Sequence, residues 1–491
     1  MLKKAVLLVL AAMLIAFSAS ATFALQVDGL QSGIGSLGTG TSGYTQGEIP
    51  YPDGLIPSVN PGGLGNALIY GYYNVRGNLN LFNIVNTSTV DGAKVRVVFR
   101  NAKNSQEILD FSVCLSKGDM WTAFLSDDGI AGHIYGGIDT DTITAPTITA
   151  SGQEFKFGSG GLANITGDDT REGYFEVIGL SPIPNYDKNA STNAACTSSS
   201  GPQNCIRSAN DCANWGNNSS AVVDLGPVGN VLFGNNSIIA FSDLATYSYN
   251  ATAIADAFLI PNVDPGPGSE LSIPTLMDPP SLFGDAEGIP ESGCVAFDWI
   301  LMKDKVIAPY DLLASIAGET DVVLTFPSRL RCHGTDDAYF DNDGDINELG
   351  GDMFDCFTYD NSGTCTEYRT KVGIDIWDDQ EHRLSLLDFS PATGSTLSHE
   401  VNVLHIGGSN IWNSTVALSL SVGDFQLGWV SIDLASASDT HFINWSDDFS
   451  PSPGSNGLPV IAYTTQSIAG GASSYMVPAQ YTTDINNGVQ D

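Results

Sequence analysis

Apolar positions along the chain fall mostly in short runs with a period of two. Over 94–100, Val95, Val97 and Phe99 share one side, with Lys94, Arg96 and Arg100 among the residues between and beside them. Leu109, Phe111, Val113 and Leu115 repeat the pattern. Such alternation, with turn residues between the runs, marks half-buried antiparallel strands. Further strands are expected over 67–73, 79–85, 120–125, 174–178, 228–233, 238–241, 246–249, 321–327, 401–406, 416–422, 425–434 and 458–465. Asp91-Gly92 reads as a hairpin turn between two early strands. Only 253–259 and 309–317 suggest short helices. The expectation is an all-β chain, mainly antiparallel, with two β-sandwich-like regions, long loops and few short helices.

Breaks in this pattern divide the chain. Residues 1–24 read as a secretory signal: Lys3 and Lys4 precede an apolar run from Ala5 to Phe17, and small residues follow, with cleavage expected after Ala21 or Ala24. Residues 25–66 form a Gly/Ser/Pro-rich arm. The first sandwich-like region is expected over 67–184, and a Cys/Asn/Ser-rich loop over 185–225. A second β-rich region is expected over 226–491, with an acidic, cysteine-bearing insertion at 331–368. No segment after the signal is long and apolar enough to span a bilayer as a helix. These features place the protein outside the cytoplasm, at the cell surface or in the medium.

Composition narrows the partners. The chain of 491 residues carries 19 Lys+Arg against 55 Asp+Glu, a net charge of −36, with 42% hydrophobic residues. That is ample material for a packed core. The charge argues against nucleic acid, whose phosphates need basic side chains. Divalent cations are the natural partners of such a surface. The sharpest candidate is a twelve-position loop from Asp341 to Asp352. It puts Asp341, Asp343 and Asp345 at positions 1, 3 and 5, Asn347 at 7 and Asp352 at 12. Alternating oxygen donors at this spacing suit calcium. Ile346 stands where such loops turn on glycine, and Asp352 is shorter than the usual glutamate.

Other constellations are weaker. Asp375, Asp378, Asp379 and Glu381 form a second acidic cluster beside His382. His399 and His405 are six residues apart on an expected strand, about 20 Å at strand rise, too far to share a metal. No nucleophile elbow, Walker loop or dinucleotide fingerprint stands in its strand–turn–helix setting, so no catalytic residue is assigned. Trp377, Trp412, Trp429 and Trp445 are candidates for stacking on sugars, though tryptophans are more often buried. Eight cysteines in an exported chain favour disulfides. Two local pairs are expected: Cys356 with Cys365 across a hairpin, and Cys205 with Cys212.

Blocks spread along the chain carry a resemblance. They include Asn60-Pro61-Gly62-Gly63 through Tyr72-Tyr73, Val95 to Arg100, and Asp119-Met120-Trp121-Thr122. Others are Thr170 to Ile178, Thr320 to Pro327, Gly428-Trp429-Val430 and Gly457 to Ile461. In these the chain resembles a family of exported, β-rich proteobacterial cell-surface proteins, some of them S-layer-like. The resemblance implies a structural or interaction role and supplies no active site. The expected function is therefore a calcium-stabilised surface subunit, filament component or adhesin. Its partners would be its own copies or other envelope components. The alternative is a secreted carbohydrate-binding protein or a glycan-active hydrolase using Asp and Glu.

Overall fold

The computed structural model describes residues 58–137, 142–159, 162–186, 206, 208–215, 228–242, 244–257, 300–328, 355–359, 365–385, 396–434 and 457–482. All of them belong to one compact unit. The early strands are β1 (Ser58–Val59), β2 (Ala67–Asn74), β3 (Asn78–Asn86), β4 (Gly92–Asn101), β5 (Glu107–Leu115), β6 (Met120–Asp127), β7 (Gly132–Gly136), β8 (Ile143–Ala145), β9 (Gln153–Glu154) and β10 (Glu172–Ile183). They are followed by β11 (Leu232–Ala240), β12 (Ala245–Asn250) and β13 (Thr252–Ala255). The later strands are β14 (Met302–Lys303), β15 (Lys305–Asp311), β16 (Glu319–Thr325), β17 (Asp355–Tyr359), β18 (Cys365–Lys371), β19 (Gly373–Asp378), β20 (Arg383–Ser385) and β21 (Thr396–Leu397). The last are β22 (Val401–Ile406), β23 (Ala417–Leu420), β24 (Leu427–Asp433), β25 (Leu458–Pro459), β26 (Ile461–Ile468), β27 (Ser473–Pro478) and β28 (Gln480–Thr482).

Four main sheets stack in layers. Sheet I has the order β12-β11-β3-β6-β7-β9, and sheet II the order β1-β13-β2-β10-β4-β5-β8. Sheet III is β23-β22-β16-β26-β27, and sheet IV is β20-β19-β24-β15-β28. Pairing is antiparallel except between β22 and β23. Sheets I and II enclose an aromatic core that includes Tyr70, Phe82, Phe99, Trp121 and Phe175. Sheets III and IV enclose an aliphatic one that includes Val322, Leu324, Ile376, Leu404 and Val430. A third core joins the two sandwiches, with Ile69, Tyr72, Val98 and Tyr174 from sheet II and Val323, Val403 and Tyr463 from sheet III.

This third core explains why alternation fails in β2. Residues 67–73 read Ala-Leu-Ile-Tyr-Gly-Tyr-Tyr because β2 is buried on both faces, and every residue of the strand is inaccessible. The strand also comes very close to β26. A Cβ at Gly71 would lie 2.8 Å from the Tyr463 ring and 3.0 Å from the Ile461 side chain. At the sheet edges, Thr246 of β12 and Ser474 of β27 exchange hydrogen bonds, so sheets I and III also meet there.

Several expectations are corrected. Strands β11 to β13, assigned from sequence to the second region, belong to the first sandwich. β11 pairs with β3, and β13 lies between β1 and β2. Of the helix expected over 253–259, residues 253–255 lie in this strand, 256 and 257 follow it as turn and coil, and 258 and 259 lie outside the described residues. The helix expected over 309–317 is the end of β15 followed by one helical turn at Ala314–Ile316. Asp91-Gly92 is not a hairpin turn, because β3 and β4 lie in different sheets. The connection is an arch in which Asn86 Nδ2 donates to Asp91 O and Ser116 O, both at 3.0 Å. Gly92 is needed there because a Cβ would lie 2.6 Å from Leu115 O.

Cys212 bonds to Cys114 of β5, 98 residues away, and not to Cys205. Local spacing could not foresee this, because the partner is supplied by a strand. The bond ties a short helix, Ala209–Asn214, to sheet II. Lys94, directly opposite Cys114 in the sheet, reinforces it. Its buried ammonium donates to Trp215 O (2.8 Å) and Ala213 O (3.2 Å), at the end of the helix where carbonyls lack partners. The backbone hairpin expected around Cys356 and Cys365 is present as β17–β18, with Tyr359 opposite Cys365 and Cys356 opposite Tyr368. The side chains of these two cysteines lie outside the described residues, as does Cys205.

Two outcomes follow. Non-reducing peptide mapping should recover Cys114 and Cys212 in one linked species, and the C114A/C212A variant should lose about 3–5 kcal/mol of stability in denaturant titration. Arg100 and Glu176 form a buried pair at 2.9 Å. Arg100→Met should cost about 3–5 kcal/mol by stranding the carboxylate, and adding Glu176→Leu should restore most of the loss.

Candidate functional site

Buried ionisable groups concentrate where the two sandwiches meet. The loop between β22 and β23 carries Trp412, which is fully buried. Its ring packs edge-on against Tyr72 (5.5 Å) and Tyr247 (4.8 Å), both from the first sandwich. Trp412 is therefore a core residue and not a sugar platform. Two buried carboxylates hold this loop. Asp321 of β16 accepts from Ser409 Oγ (2.7 Å), Ile411 N (2.9 Å) and Trp412 N (3.3 Å), and contacts His405 Nδ1 at 2.9 Å. Glu172 of β10 accepts from Tyr72 OH (2.8 Å), Ser414 Oγ (2.5 Å) and Thr415 N (3.2 Å). Arg76 Nε lies 3.7 Å from Glu172. Burial pushes the Glu172 carboxyl above its ordinary range, and the donors around it oppose that shift without cancelling it.

A second group lies at the far edge of sheet I. Asp128 follows β6, His133 lies on β7, and Glu154 lies on β9 directly opposite His133. One donor atom from each lies within 4.8 Å of the others. The N–H groups of Ala131 and Ile130 hold the Asp128 carboxyl below its usual range, and His133 adds to this. One imidazole with two carboxylates suits a zinc-class ion better than calcium, which takes oxygen ligands. The sequence offered no local motif for this group, because its members span 27 residues and meet only through strand pairing.

A third feature is the outer face of sheet IV. Trp377 of β19 lies opposite Trp429 of β24, which lies opposite Pro309 of β15. The two indoles are parallel within 7°, with centroids 5.4 Å apart. Trp429 is 37% exposed. Arg383 of β20 continues the row, its guanidinium carbon 5.7 Å from the Trp377 ring centroid. Arg383 Nη2 donates to both Asp375 oxygens at 2.8 Å. Desolvation pushes the Asp378 carboxyl up, but hydrogen bonds from the His382 ring and backbone outweigh it and hold the group below its usual range. The Tyr310 hydroxyl is pushed up to about 12 by burial and by Asp378 and Asp379.

The acidic cluster foreseen at 375–382 is thus the rim of this face. The Asp341, Asp343, Asp345, Asn347 and Asp352 loop and Trp445 lie outside the described residues. Residues 1–57, with the expected signal, do too. His405 sits beside Asp321, and His399 precedes β22 in a turn. No family model, curated protein or solved structure matches the chain.

The Glu172 environment has a pH signature. A carboxyl whose folded pKa is raised stabilises the fold below its unfolded value near 4.5, and that contribution is lost as pH rises through the folded value. Glu172→Gln keeps a neutral acceptor at all pH. Its melting temperature relative to the wild type should therefore increase between pH 4 and pH 7, as read by calorimetry.

Proposed function

We propose that this is a structural or interaction protein of the cell surface, of the kind that forms S-layer-like arrays, filaments or adhesive tips. The observation that carries the reading is the fusion of two sandwiches through a buried, hydrogen-bonded seam. Gly71 O accepts from Thr325 Oγ1 (2.5 Å), Ala102 O accepts from Val401 N (2.9 Å), and Trp412 O accepts from Asn74 Nδ2 (2.9 Å). Rigid coupling of two β-domains suits a load-bearing or presenting subunit. The buried carboxylates of Asp321, Glu172 and Glu176 are committed to backbone, hydroxyl and guanidinium donors, which favours a structural duty over catalysis.

Calcium enters through charge. A surface at −36 repels its own copies, and divalent ions at the 341–352 loop would relieve that repulsion. A second reading, carbohydrate binding, draws on the half-exposed Trp429. In intact cells the protein should be found at the surface by immunogold labelling. Chelation of calcium should release it from purified envelopes and lower its melting temperature. Retention with unchanged melting would remove calcium from the reading.

A further inference from the structure

The geometry points to the outer face of sheet IV as a docking site for a basic protein segment that presents arginine. The proposal rests on the interaction-protein reading and names the partner's chemistry. The Trp377 and Trp429 indoles lie parallel within 7°, with centroids 5.4 Å apart. On the Trp377 side the chain itself fills the adjoining position with a guanidinium: Arg383 lies over the ring and is pinned by Asp375. The surface thus already binds an arginine of its own, by cation–π contact plus a carboxylate.

Trp429 continues the same row with 37% of its surface open. The rim beside it is acidic. The Asp379 N–H donates to Leu427 O (3.1 Å), which puts the Asp379 loop next to the strand that bears Trp429. Asp379 and Glu381 are exposed, and among the described residues neither carboxylate has an ion-pair partner. Trp377 and Pro309 flank Trp429 in the row, so a cation would reach the exposed part of its indole with the Asp379 loop alongside, a ring-and-carboxylate setting like the one Arg383 has on Trp377. The charge of −36 selects the occupant further. It disfavours any polyanion and attracts a basic partner.

The test uses the purified full chain at physiological salt, with fluorescently labelled hexa-arginine and hexa-lysine peptides followed by anisotropy. Hexa-arginine should bind more tightly than hexa-lysine. Trp429→Ala should weaken hexa-arginine about tenfold, weaken hexa-lysine less and melt like the wild type. Should that variant not fold, Asp379→Asn with Glu381→Gln on the intact ladder should weaken hexa-arginine instead. Equal binding of the two peptides, or a folded Trp429→Ala that binds hexa-arginine like the wild type, would reduce the attraction to general charge and overturn the proposal, as would an unchanged rim variant where Trp429→Ala does not fold. So would binding of cellohexaose or chitohexaose that Trp429→Ala abolishes while hexa-arginine binding persists. Peptide binding is read in solution, so its failure leaves the surface location and the chelation result untouched.

Discussion

Sheet II is buried on both faces, and the rest of the fold accommodates that constraint. One face closes the aromatic core against sheet I, and the other packs on sheet III. A sheet in this position cannot use alternation to separate core from solvent. Its strands must be mostly apolar, as β2 is up to Asn74, or must find partners for the polar groups they bury. Arg100 Nε pairs with Glu176 Oε1, and Glu172 takes hydroxyl and amide donors, which offsets much of the cost of burying these charges. Gly71 meets a further condition, because two sheets can approach this closely only where a side chain is missing.

The Trp412 loop links the halves by a different principle. It belongs to the second sandwich in sequence, yet its indole sits among tyrosines of the first. Asp321, from its own sandwich, fixes one end of the loop, and Glu172, from the other, fixes the far end. Removing either carboxylate would strand backbone and hydroxyl donors in the interior. That cost exceeds the worth of the individual bonds. Coupling of this kind makes the two sandwiches a single mechanical body and leaves sheets I and IV to meet the surroundings. The features best placed to meet a ligand lie there: the Asp128–His133–Glu154 group at the edge of sheet I and the indole ladder on sheet IV.

The alternation over 94–100 and 109–115 was legible because each residue's face is a local property of a strand. For the same reason the existence of most strands, the low helix content and the two-sandwich character could be read directly. Strand partners could not. β13 read as a short helix because Thr252 to Ala255 is brief and gains its identity only from β1 and β2 on either side. Asp91-Gly92 has the composition of a hairpin, but the chain there crosses between sheets. Cys212 has two nearer cysteines in its own loop, and it bonds instead to one delivered by β5.

The candidate sites divide in the same way. The acidic character at 375–382 and the presence of Trp377 and Trp429 were visible in sequence. Their assembly into one row with Arg383 and Pro309 depends on the register of four strands. Trp412 and Trp429 looked alike in sequence and have opposite fates, one sealed between sandwiches and the other open to solvent. The chain by itself determined that it would form antiparallel sheets with a strongly acidic exterior, because period and charge are written residue by residue. Only the tertiary structure decided which sheet faces meet, which cysteines join and which aromatics stay exposed. Those outcomes depend on pairing between residues far apart in sequence, which no local pattern encodes.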